Sequence, residues 1–89
     1  MGSTLTYAWI LIKQNRISDA LSVLNQIVTA APNVPAFRYH LAVAYHKNGD
    51  DGLAGSELKQ ALELAKTNAN FSERMAAEAL LAEISKIRQ

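Results

Sequence analysis

Cysteine is absent from the 89 residues. That excludes a disulfide framework, a thiol nucleophile and a zinc ribbon, and leaves the compartment open. A strong charge of either sign is also missing. Nine basic and eight acidic residues give a formal charge of +1, with no basic run among them. Such a balance supplies no electrostatic reason to expect nucleic acid or an anionic membrane as partner. Long apolar runs are lacking as well. The longest, residues 7–12, falls far short of the roughly 20 residues of a spanning helix, so direct membrane insertion is not expected. No stretch reads as a secretory signal. Residues 1–3, Met-Gly-Ser, read as a cloning remnant, and a targeting segment ahead of them would have been cut away.

Chemistry-bearing constellations are equally sparse. His40 and His46 stand six residues apart, whereas two ligands on one helix face need a spacing of three or four. No metal or other cofactor is expected. Ser18, Ser22, Ser56, Ser72 and Ser85 lie in helical or capping contexts with no accompanying His–Asp pattern. Asp50 and Asp51 are adjacent carboxylates at a turn, a setting that favours caps over acid–base work. Gly49-x-x-Gly52-x-x-Gly55 follows no strand, so it is not a phosphate cradle. The expectation is a protein that is not an enzyme.

What the chain does contain is 49% apolar residues in a length that suits one small domain. A domain of this size buries only about 60–65% of its unfolded surface, so its stability is marginal. The apolar residues follow a helical period. Ala20, Leu21, Leu24, Ile27 and Val28 recur at three- and four-residue intervals. Five helices are predicted, over residues 4–14, 18–30, 35–47, 52–66 and 71–87. Ser3 or Thr4, Ser18 and Asp51 are the expected N-caps of the first, second and fourth. Asn70 and Glu73 have capping-box spacing ahead of the fifth. Asn15-Arg16 and Asn48-Gly49-Asp50 form tight turns, with Gly49 in a left-handed conformation. Pro35 suits the first turn of helix three. Gly52 and Gly55 weaken helix four, and their small size suits close packing. The first helix is apolar on every side, which implies that something upstream of it covers it.

Residues 39–64 form a helical hairpin with small and large apolar side chains at fixed offsets. A copy stands 34 residues upstream, with the identities Ala8/Ala42, Lys13/Lys47, Ala20/Ala54, Ser22/Ser56, Leu24/Leu58, Gln26/Gln60 and Ala31/Ala65. Alanine at four of these places lets paired helices approach closely, while Leu11, Leu24, Tyr45 and Leu58 fill the adjoining gaps. Met75, Ala76 and Ala79 fall 34 residues after Leu41, Ala42 and Tyr45, so the fifth helix is expected to start a third unit in register. It would seal the stack with Glu73, Glu78, Glu83, Lys86 and Arg88 toward water.

This pattern resembles the tetratricopeptide-repeat (TPR) family. The second copy carries Leu41-Ala42-x-x-Tyr45, Gly49, Ala54, Leu58 and Ala61; the first carries Tyr7-Ala8-x-x-Leu11, Ala20, Leu24, Ile27 and Pro32. Thr4 and Arg38 replace the family's aromatic near the repeat start, and Asp51 replaces a bulky apolar residue. The resemblance implies an all-α superhelix: repeat one over about 4–34, repeat two over about 35–68, and a capping helix over about 70–87. It also implies a concave face formed by the first helix of each repeat, here Leu5, Trp9, Ile12, Lys13, Tyr39, His40, Val43, His46, Lys47 and Arg74. Such a face suits an extended peptide with apolar side chains and some negative charge. Positions that grip a terminal carboxylate in some members match poorly, Leu5 and Trp9 standing in the first pair.

A narrower likeness lies in Ala8-Trp9-Ile10-Leu11, Ala31-Pro32-Asn33-x-Pro35 and residues 38–44, RYHLAVA. These resemble the C-terminal repeats of large bacterial TPR lipoproteins associated with exosortase sorting and exopolysaccharide systems. That likeness implies a fragment of a periplasmic or membrane-anchored scaffold; without it, the cytoplasm is expected. The function expected on these grounds is a scaffold binding a protein or peptide segment. The alternatives are a structural end of a longer solenoid and a module that self-associates through helix one.

Overall fold

The computed structural model describes residues 4–67 and 71–87. Its elements in chain order are α1 (Thr4–Lys13), α2 (Ile17–Ala30), α3 (Pro35–Lys47), α4 (Asp51–Ala65) and α5 (Arg74–Ile87), with no strand among the described residues. None of these helices is long and apolar enough to cross a membrane. The helices pair in sequence, α1 on α2, α2 on α3, α3 on α4 and α4 on α5, as the short links dictate.

The turns that close the two hairpins are built alike. Asn15 has φ 63° and Gly49 has φ 86°. In the first, the Asn15 and Arg16 amides donate to the Ile12 and Leu11 carbonyls at 3.0 and 2.8 Å; in the second, Gly49 and Asp50 donate to His46 and Tyr45 at 3.1 and 2.9 Å. Both satisfy the last carbonyls of a helix through a left-handed residue, the Schellman arrangement. Asparagine, whose short polar side chain tolerates this conformation, does in repeat one what glycine does in repeat two.

Helix α3 is shared between two apolar clusters. Leu41 and Ala44 join Ala8, Leu11, Ile12, Ile17, Ala20, Leu24 and Val28 on one side. Ala42 joins Ala54, Leu58, Ala61, Ala65, Phe71, Ala77 and Ile84 on the other, and Tyr45 packs against both. The four alanines at the expected points of closest approach, Ala8, Ala20, Ala42 and Ala54, are all 0% exposed.

Three local expectations are corrected. Ser18 and Asp51 are not N-caps, because the helices begin at Ile17 and Asp51 with Arg16 and Asp50 ahead of them. The reason is packing and pairing one residue further in: Ile17 must reach the core, and the Asp51 carboxylate accepts from His46 Nδ1 at 2.7 Å. Second, α5 starts at Arg74, and its phase differs from the 34-residue rule. Met75 is 81% exposed, and Ala76 and Ala79 are exposed too. The buried residues are Ala77 and Ile84, with Leu80 and Leu81 packed beside them. Phe71 still sits 34 residues after Phe37, but Ala77 and Leu80 stand 35 after Ala42 and Tyr45. The slip arises between Phe71 and Arg74, where the backbone turns instead of continuing a helix as α3 does around Phe37. Glu73, Glu78, Glu83 and Lys86 remain at least partly open to solvent; Asn70, Arg88 and Ser3 lie outside the described residues.

Third, Gly55 is not required for close packing. A Cβ placed there would meet Leu81 Cδ1 at 3.9 Å, an ordinary contact. Gly55→Ala is therefore expected to raise the unfolding free energy by about 0.5–1 kcal/mol through reduced backbone entropy, read as a higher midpoint in urea at unchanged m-value.

Candidate functional site

The residues expected on the concave face do not form one uniform surface. Trp9, Ile12, Lys13 and Lys47, with Asn15 at the rim, line one cavity of about 530 Å³ between the ends of α1 and α3. The helical period places Trp9 and Lys13 on neighbouring turns of α1, and Lys47 reaches the same space from the last turn of α3. Ile12 is 4% exposed and serves mainly as core; Val43, 9% exposed, is also a core residue.

The aromatic residues form a chain across the helices. The His40 ring meets Trp9 edge-on at 5.1 Å between centroids and Tyr39 at 5.3 Å; Tyr39 in turn meets Phe71 at 6.4 Å. His40 Nδ1 lies 2.7 Å from the Ala36 carbonyl, so Nδ1 carries the proton and donates. The contact fixes the ring one turn along its own helix. Tyr39 packs against the second apolar cluster. Burial pushes its phenol above the ordinary value of 10.0, and the nearby Glu73 charge adds to the shift.

His46 and Arg74 are engaged elsewhere. His46 Nδ1 faces Asp51 Oδ1 at 2.7 Å and its Nε2 faces Glu83 Oε2 at 3.4 Å, joining α3 to α4 and α5. Arg74 pairs with Glu78 on its own helix at 3.5 Å and is not part of the Trp9 cavity.

Two polar locks escaped the sequence reading. Arg38 donates from Nε to the Pro32 carbonyl at 2.8 Å and from a terminal nitrogen to Glu57 Oε1 at 2.9 Å. Its side chain is 15% exposed and that of Glu57 18%. Arg38 thus fills the family's aromatic position with a guanidinium whose charge is answered from α4. The His46–Asp51 contact is the second lock. The signal for each was a coupled change between the repeats. Ile12 and Ile17 of repeat one become His46 and Asp51 in repeat two, and Val23 becomes Glu57 where Arg38 stands opposite. A pair that turns polar together, with complementary partners, marks a contact.

Among the described residues no group of three or more His, Cys, Asp or Glu side chains is placed to hold a metal ion. A second cavity, about 460 Å³, lies along the α4–α5 seam between Gly55, Ser56, Lys59, Leu81, Ile84 and Ser85.

A family profile described as tetratricopeptide repeat matches residues 11–83. A comparison with curated proteins and another with solved structures each found no match.

The position of Tyr39 has a measurable consequence at alkaline pH. With its folded pKa above the unfolded value of 10.0, the neutral phenol is favoured in the fold. The stability it supports is complete below pH 10 and is lost as pH rises through the folded pKa. Unfolding midpoints of Tyr39→Phe should fall less steeply above pH 10 than those of the unmodified protein.

Proposed function

The chain belongs to the tetratricopeptide-repeat family, whose repeats mediate protein–protein interaction, and from that premise we infer that its concave face binds an extended peptide or protein segment. The observation that carries this reading is the Trp9 cavity. It combines an indole, an aliphatic side chain and two lysines, drawn from the first helices of the two repeats. Trp9 is the anchor. A large aromatic held edge-on by His40 offers apolar area at little cost in conformational entropy, the usual character of an interface hot spot. Tyr39 and His40 carry the apolar strip toward Phe71. Family membership also favours a scaffold over an enzyme, since these repeats are typically non-catalytic.

The parent we propose is a longer bacterial solenoid of the exosortase- and exopolysaccharide-associated lipoprotein type, which would place this domain outside the cytoplasm. The support is the string of residues 38–44 and the Ala-Pro-Asn link, together with the exposure of Tyr7 and Ile10 on α1, 53% and 46%. That exposure equally favours a second reading, association of two copies through α1. Sedimentation velocity separates the two: a mass that rises with concentration, and stays monomeric in Tyr7→Ser with Ile10→Ser, supports self-association.

The groove reading is tested with an array of capped, extended peptides. Peptides retained by the unmodified protein should lose about ten-fold in affinity to Trp9→Ala with Tyr39→Ala, equivalent to about 1.4 kcal/mol, while far-ultraviolet circular dichroism shows the helices intact. Retention that survives this double substitution contradicts the groove.

A further inference from the structure

Resting on the groove reading above, we propose that the Trp9 end of the groove selects an internal acidic segment, with a side-chain carboxylate held between Lys13 and Lys47 and an apolar side chain two residues along against Trp9. The argument begins with where the charges are answered. Arg16 pairs with Asp19, Lys66 with Glu63, Arg74 with Glu78 and Arg38 with Glu57. Among the described residues Lys13, Lys47, Lys59 and Lys86 have no anionic partner, and of these only Lys13 and Lys47 line the Trp9 cavity together. For Lys13 the local sequence offers none, because the positions three and four away are Trp9, Ile10, Arg16 and Ile17. For Lys47 two carboxylates lie at that spacing, but Asp50 takes the Asn48 amide at 2.8 Å and Asp51 takes His46 at 2.7 Å.

A lysine in the last turn of a helix offsets the partial negative charge there, which accounts for one cation on each of α1 and α3. It does not account for both lining a single cavity whose other walls are Trp9, Ile12 and Asn15, with no carboxylate among them. Two ammonium groups on separate helices around one space are complementary to a single carboxylate, and field from both raises the encounter rate of an acidic partner.

Spacing fixes the order of groups in the ligand. Trp9 and Lys13 are one helical turn apart, about 6 Å along α1. Alternate side chains of an extended peptide lie about 6.6 Å apart on one face. An acidic residue and an apolar residue at i and i+2 therefore fit the lysines and the indole together.

Trp9 is the one tryptophan of the chain, so its emission reports occupancy directly. Short peptides with acetylated and amidated ends carrying Glu-Ala-Leu should shift that emission and bind at least about ten-fold more tightly than Lys-Ala-Leu counterparts. The preference should weaken with added salt and vanish in Lys13→Gln with Lys47→Gln, both exposed positions where folding is retained. Restoring a free terminal carboxylate should leave the affinity unchanged. Equal binding of acidic and basic peptides, with Trp9 emission still responding, overturns the acidic selection and leaves the groove intact. Binding that depends on a free terminus overturns the internal segment. No response of Trp9 to any peptide, whatever its charge, overturns both readings.

Discussion

The contact on which the other features depend is the near approach of α3 and α4 at Ala42 and Ala54, both fully buried. A methyl group on each side allows two helix backbones to lie close, and that spacing decides how the hairpin leans on its neighbours. The same small residues recur in repeat one, where Ala8 and Ala20 are both fully buried in one cluster. Leu11, Leu24, Leu41 and Leu58, the largest fully buried side chains, then fill the volume beside each small pair. Close-packed interiors leave little tolerance here. With α3 committed to one cluster through Leu41 and Ala44 and to the other through Ala42, the repeats cannot shift independently. The first helices are thereby aligned, which brings Trp9, Lys13 and Lys47 to one cavity.

Repeat two replaces part of this apolar packing with hydrogen-bonded polar pairs. His46 and Asp51 stand where repeat one has isoleucines, and Arg38 with Glu57 bridges α3 to α4. Such pairs are directional. They contribute little net stability when complete, but losing one partner leaves a poorly solvated charge. They therefore tie α3, α4 and α5 to one arrangement, with His46 also reaching Glu83 on α5. Polar atoms near the core are all satisfied, since no buried side-chain nitrogen or oxygen lacks a partner among the described residues.

Much of this architecture was legible in the sequence, and the exceptions have physical causes. The repeat of alanine and leucine at a 34-residue offset identifies buried positions because helix packing needs small and large side chains at set intervals. Pro35 and Gly49 mark helix ends through backbone constraints that hold in any context. The phase of α5 was not legible, because the two turn residues after Phe71, Ser72 and Glu73, rotate everything beyond them. Nor were the caps: Ser18 and Asp51 have capping side chains, but Ile17 and His46 claim the neighbouring geometry. In the candidate site, the first-helix spacing named Trp9, Lys13 and Lys47, which line one cavity. That spacing could not tell that His46 is spent on carboxylates of α4 and α5, which come near only in the folded chain; the Arg74–Glu78 pair, one turn apart on α5, was within reach of the sequence.

The most direct measurement of the small-residue contact compares Ala42→Leu with Ala79→Leu by urea unfolding. Ala42 is fully buried between helices, so the added volume must strain α3 against α4, and a loss of about 1–3 kcal/mol is expected. Ala79, exposed on α5, should change by no more than about 0.5 kcal/mol. Equal effects at the two positions would contradict the account, because they would mean that α3 and α4 do not meet at Ala42.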